Sequence, residues 1–142
     1  MKHKYLMINL KSDLHALPSA LSKILDFLSI EANLSDEQLL AYKLIISELI
    51  INAIIHGNKK DPTKSVKVRV GVYGRRVSYI VVEDEGNGFE MEKVSQKYSP
   101  FDFQDEIEDL YEYGRGLMLV SSLCERVKQN DRGNKVVAIR SL

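Results

Sequence analysis

Val66-Lys67-Val68-Arg69-Val70-Gly71-Val72-Tyr73 alternates apolar and wetter residues with a period of two, and Gly74-Arg75 then turns the chain into a second apolar run, Val77 to Glu83. Such alternation marks a strand with one face in a core and the other toward water, and the short turn makes the two runs an antiparallel hairpin. A doubly wound parallel sheet needs strands apolar on both faces, so this stretch disfavours a dinucleotide-binding fold. Toward the N-terminus, Tyr5 to Leu10 reads as a short strand. Asp13 is expected to cap a helix carrying Leu14, Leu17, Leu21, Ile24, Leu25 and Leu28 at three-and-four spacing, with Pro18 in its first turns. Ser35-Asp36-Glu37-Gln38 has capping-box spacing, and the helix that it opens runs apolar to about Ile55, where Gly57 ends it. Toward the C-terminus, Leu117 to Cys124 reads as a helix, and Arg126–Gln129 with Lys135–Arg140 makes a last hairpin around Asp131-Arg132-Gly133-Asn134. The order predicts an α/β fold of the α+β type, with a mixed, mostly antiparallel sheet covered on one face by about three helices.

The chain of 142 residues is expected to form one domain over residues 1–142. Its 20 basic and 20 acidic residues cancel, which gives no bulk attraction to nucleic acid or to an anionic membrane. A lone Cys124 permits neither an internal disulfide nor a multi-cysteine zinc site. No leader pattern and no run of 18 apolar residues is present, so the expectation is a soluble, cytoplasmic chain. Charge is unevenly placed: residues 59–76 hold seven basic and one acidic residue, whereas residues 83–112 hold eleven acidic and two basic. The basic segment is most simply a solvated sheet face with a basic tip.

Chemistry concentrates in three places. Glu48, Asn52 and His56 recur every fourth residue along an otherwise apolar helix, which stacks a carboxylate and an amide on one face. By itself that stripe is as consistent with a solvent-facing seam as with a site. Next, the strand ending at Glu83 runs into Asp84-Glu85-Gly86-Asn87-Gly88, and 27 residues from Asn87 to Tyr113 follow without a clear strand. Connections of that length in compact domains tend to be lids or binding loops, and Phe103, Ile107 and Leu110 or Tyr111 have the spacing of a short amphipathic helix within it. Last, Gly114-Arg115-Gly116 opens the helix at Leu117, where backbone N–H groups and the positive dipole end can approach a phosphate.

Taken in order and spacing, Glu48-x-x-x-Asn52-Ala53-x-x-His56-Gly57, Asp84-x-Gly86-x-Gly88 and Gly114-Arg115-Gly116-Leu117 resemble the three nucleotide-binding boxes of the GHKL ATPases. The resemblance implies the two-layer α/β sandwich of that superfamily, the Bergerat fold, and within it the chain looks most like the small anti-sigma-factor serine kinases of bacterial partner-switching systems. It implies ATP and Mg²⁺ as cofactors. Asp84, an acceptor-only side chain, would take the exocyclic amine of adenine, and guanine would be refused. Asn52 would be the single protein ligand to Mg²⁺. Gly86 and Gly88 would line the base, while Gly114, Gly116 and the amides of Leu117 and Met118 would cradle phosphate, with Arg115 adding a charged contact. Glu48 would be the catalytic base for an attacking hydroxyl. His56 and Cys124 are read as structural. Many relatives carry a Lys where this chain has Ile55, so that phosphate contact is expected either to be missing or to come from Lys59, Lys60 or Arg115. The acidic stretch 101–112 is expected to point its carboxylates outward, with Phe103 and Ile107 inward. The implied activity is phosphorylation of an anti-sigma antagonist protein by a kinase that also holds a sigma factor or an analogous regulator, and relatives commonly pair as homodimers. Two alternatives stand beside it: a nucleotide-gated binding module without phosphoryl transfer, and a detached ATP-binding domain of a histidine kinase.

Overall fold

The computed structural model describes residues 2–86 and 115–142. Gly88, Gly114, the acidic stretch and the short helix expected around Phe103 and Ile107 lie outside the described residues. Five strands form one sheet: β1 (His3–Lys11), β2 (Ser65–Tyr73), β3 (Val77–Glu83), β4 (Arg126–Gln129) and β5 (Lys135–Ser141). Their order is β1-β2-β3-β5-β4. Every pair among the described residues is antiparallel, so the sheet shows no parallel component there. The register puts Leu6, Val70, Ile80, Ala138 and Val127 in one row across all five strands. Val66, Val68, Val70 and Val72 are all buried, which makes the alternating valines of β2 the floor of the core.

Among the described residues, three helices supply the other layer. Asp13 accepts from the His15 N–H, but it caps only a short 3₁₀ turn, Leu14–Ala16. The helix α1 (Leu17–Ala32) starts after it, with Pro18 in its first turn, where a missing N–H costs nothing. It ends on Asn33 in the left-handed region and buries Ala20, Ile24 and Leu28. The helix α2 (Asp36–Asn52) opens with the full capping box between Ser35 and Gln38. It buries Tyr42, Ile45, Ile46, Leu49 and Ile50 against the sheet, and each such side chain contributes roughly 1.5–3 kcal/mol. The helix does not stop at Asn52 but widens into a π turn, Ala53–Gly57. A third helix, α3 (residues 115–123), adds Leu117 and Val120 to the same core. The stretch Asp36–Gly57 is long and apolar enough to cross a membrane by length and composition, yet more than half of it is buried inside this fold.

Among the described residues, the face of the sheet away from the helices differs from a plainly solvated one. Arg69 lies over the Tyr5 ring at 4.3 Å, and His3 stacks on Tyr73 at 4.2 Å. The Arg69 guanidinium is thus partnered by an aromatic ring, a contact worth about 0.5–1 kcal/mol at an exposed site.

One buried polar contact pins α2 to β3. Tyr42 and Ser78 are fully buried and bonded through their hydroxyls. Ser78 donates to the Arg140 carbonyl at 2.9 Å, so its proton is committed and Tyr42 is the donor between the two. Burial accordingly pushes the Tyr42 phenol above its ordinary value. Tyr42→Phe should lower unfolding stability by about 1–3 kcal/mol, measured by urea denaturation, because it leaves Ser78 with an unpaired acceptor in the core.

Candidate functional site

The polar stripe of α2 does not face bulk water. Asn52 is 8% exposed, His56 is buried and Glu48 is half-buried. They line a groove between α2 and α3 together with Ile51, Ile55, Arg115, Gly116 and Leu119. Gly116 packs against the stripe so closely that a Cβ built on it would meet Glu48 Oε2 at 2.5 Å and Asn52 Nδ2 at 3.5 Å. Glu48, Asn52, Arg115 and Gly116 therefore converge, although Glu48 and Gly116 are far apart in sequence. Ile55 lines the same groove, and of the three cations expected to replace the missing lysine only Arg115 is in that lining.

An adjoining narrow cleft is lined by Leu49, Asn52, Ala53, Gly57, Val82, Asp84, Leu117, Gly133 and Val136. Its walls are mostly apolar, with Asn52 and Asp84 as the polar side chains, the mix of lining that ligand pockets use. Asn52 belongs to both spaces and joins them. Its Nδ2 is buried and has no hydrogen-bond partner among the described residues. An uncommitted amide suits ligand binding, because nothing must be broken before it engages.

Asp84 closes the cleft at the end of β3. Its Oδ1 accepts from the Gly86 N–H at 2.8 Å, which uses one of the carboxylate's acceptor sites and leaves others for a ligand donor. The carboxyl group lies on the backbone of Gly57: a Cβ there would come within 2.3 Å of it. A Cβ on Gly86 would fall 1.9 Å from the Gly57 carbonyl. Close approach therefore requires glycine at both positions. In the sequence Gly57 reads as a helix stop and as the last residue of the first box; its close packing on Asp84 appears only in the tertiary structure. Desolvation raises the Asp84 carboxyl above its ordinary value, opposed by the Gly86 N–H and by the Arg132 guanidinium. Arg132 also donates to the Gly86 carbonyl at 3.3 Å. Leu117 faces the cleft, whereas the Met118 side chain is 67% exposed, so only its backbone can serve the site. Burial likewise pushes the Cys124 thiol up to about 11, which suits its place against the core.

A carboxyl raised on folding binds its proton more tightly in the native state, so it subtracts from stability as pH climbs from 3.8 through the raised native value, and fully above it. Asp84→Asn keeps an acceptor for the Gly86 N–H and removes the buried charge. At neutral pH thermal unfolding of this variant should occur at or above the wild-type temperature, and the difference should shrink in acid. A melt well below wild type at neutral pH would contradict that account of Asp84.

Comparison with known proteins agrees with this geometry. Residues 10–140 match the family described as the histidine kinase-like ATPase domain. The chain is also similar to proteins named serine-protein kinase RsbW. With that of Bacillus subtilis it is 31% identical over 97 residues, 68% of this chain and 60% of the relative. With that of Oceanobacillus iheyensis it is 31% identical over 90 residues, 63% of this chain and 56% of the relative. With that of Bacillus licheniformis it is 35% identical over 92 residues, 64% of this chain and 57% of the relative. The aligned part spans less than two thirds of each of these relatives. The match over residues 10–140, carried by a one-sided antiparallel sheet with a cleft at the end of its central helix, means that the chain belongs to the histidine kinase-like ATPase domain family.

Proposed function

We propose that this protein is an ATP-dependent protein-serine kinase that acts as an anti-sigma factor or similar partner-switching regulator and phosphorylates an anti-sigma antagonist protein. The observation that carries the reading is Glu48: a half-buried carboxylate one turn from Asn52, at the groove where Gly116 opens α3. Binding ATP would not by itself call for a base there, whereas moving a phosphoryl group to a serine hydroxyl would. The similarity to proteins named serine-protein kinase RsbW supports the same chemistry.

In this reading Asp84 accepts the adenine amine, with Gly86 and Gly88 beside the base. Gly114, Gly116 and the amides of Leu117 and Met118 hold phosphate, and Arg115 adds a cation at the groove that Ile55 leaves apolar. Asn52 suits Mg²⁺, since its amide oxygen is a hard donor and that ion keeps waters and substrate phosphates as its other ligands. The metal would neutralise charge between the phosphates, and Glu48 would take the proton from the attacking serine hydroxyl or orient it. A cytoplasmic location and a homodimer belong to the same proposal.

Capture of the partner from native cells with and without ATP and Mg²⁺, followed by a search for phosphoserine on it, tests the reaction. Two substitutions separate base from metal ligand. Asn52→Ala should weaken Mg²⁺-dependent ATP binding itself, as read by calorimetry. Glu48→Gln keeps shape and hydrogen bonding, so ATP and partner should still bind while phosphorylation of the captured protein slows by about 10²–10⁴. Phosphorylation by Glu48→Gln at the wild-type rate would remove Glu48 as base and favour a nucleotide-gated binding module.

A further inference from the structure

Neither Asn58 nor Asn134 lines the cleft, yet together they hold the backbone on both sides of Asp84. Asn58 is fully buried just past the π turn, which its N–H closes on the Ala53 carbonyl at 2.8 Å. Its side chain spends donor and acceptor in opposite directions: Nδ2 donates to the Ser65 carbonyl at 2.9 Å, and Oδ1 accepts from the Glu85 N–H at 2.8 Å. Glu85 returns the link by accepting from the Ser65 N–H at 2.7 Å. Three residues from the end of α2, the start of β2 and the turn after β3 thus form a closed ring of hydrogen bonds.

Asn134 holds the other side. Its carbonyl accepts from the Asp84 N–H at 2.9 Å, and its Nδ2 donates to the Asp84 carbonyl at 3.0 Å. It is itself fixed by Asn130, which donates to its Oδ1 at 2.8 Å and accepts from its N–H at 3.1 Å. The N–H and carbonyl of Asp84 and the N–H that follows are therefore all committed. With the Gly57 backbone as a wall and the Gly86 N–H on Oδ1, the carboxylate has little freedom left. Orientation is settled in the fold before any ligand arrives, and a preoriented acceptor discriminates better than a mobile one.

We propose that Asn58 and Asn134 are positioning residues that set the aim of Asp84 and thereby the selectivity for a purine carrying a 6-amino group. The proposal rests on the assignment of Asp84 to the adenine amine. Asparagine is required at position 58 because one side chain must donate and accept at once; aspartate lacks the donor, and serine is too short to span both partners.

The test uses Mg²⁺ with two nucleotides, ATP and purine riboside triphosphate, which lacks only the exocyclic amine, titrated calorimetrically into wild type, Asn58→Ser and Asn134→Ala. Thermal melts establish that each variant is folded. Wild type should prefer ATP by roughly tenfold or more, the worth of one charge-assisted hydrogen bond. Each folded variant should lose most of that preference through weaker ATP binding, with affinity for the amine-free nucleotide unchanged. Should Asn58→Ser fail to fold, Asn134→Ala, whose residue is only half-buried, decides alone. A folded variant that keeps the full preference, or that loses both nucleotides equally, overturns the positioning role. Absence of any preference in wild type would instead overturn the adenine assignment of Asp84.

Discussion

The carboxylate of Asp84 lies against the backbone of Gly57, and the site is organised around that contact. It joins the end of β3 to the end of α2, beside the hydrogen bond from the Glu85 N–H to Asn58. Keeping it requires glycine at 57 and 86, a helix end widened by one residue at Ala53–Gly57, and a backbone turn that presents the Gly86 N–H to Asp84. π-type widening of a helix recurs at functional sites, where it redirects side chains that an ideal α-helix would stack elsewhere. The raised carboxyl shows the cost: an acid held partly out of water is less stable ionised than the same acid in an unfolded chain. Groups shifted in this way cluster at functional sites, and the proposed function gives the Asp84 charge its use.

Much of the architecture was legible because it rests on local rules. The valines of β2 and the box at Ser35 and Gln38 carry their periodicity and spacing in plain view, and the structure realises both. Asp13 was the exception: a cap signal four residues ahead of an α-helix, which Pro18 delays so that the cap serves a 3₁₀ turn instead. The basic residues of β2 were read as solvated, and Arg69 instead packs on Tyr5, a partner that only strand pairing brings alongside. Four-residue spacing was enough to bring Glu48 and Asn52 to one groove. It could not reveal Asn58 or Asn134, whose bonds span 27 and 50 positions to Glu85 and Asp84. No periodicity records a tertiary hydrogen bond, though Asn58 stands directly after the motif that ends at Gly57 and could have been suspected on that ground.

In the proposed reading the two spaces flanking Asn52 divide the chemistry between recognition and transfer. The cleft at Asp84 is narrow, largely apolar and closed by a preset acceptor, which in that reading meets the adenine amine. The groove at Glu48 is wider and mixed in character, with Arg115 and the N-terminus of α3 on one wall and Ile51 and Ile55 on the other. A triphosphate laid from the first space into the second would place its charged end beside Arg115 and Glu48, the cation and the base of the proposed transfer.

A crystal structure of this protein with Mg²⁺ and a non-hydrolysable ATP analogue tests that arrangement most directly. The account predicts the adenine amine within hydrogen-bond distance of an Asp84 carboxylate oxygen, Mg²⁺ on the side-chain oxygen of Asn52, and the terminal phosphate facing Glu48 across the groove. An adenine ring bound away from Asp84, or a terminal phosphate directed away from Glu48, would contradict it.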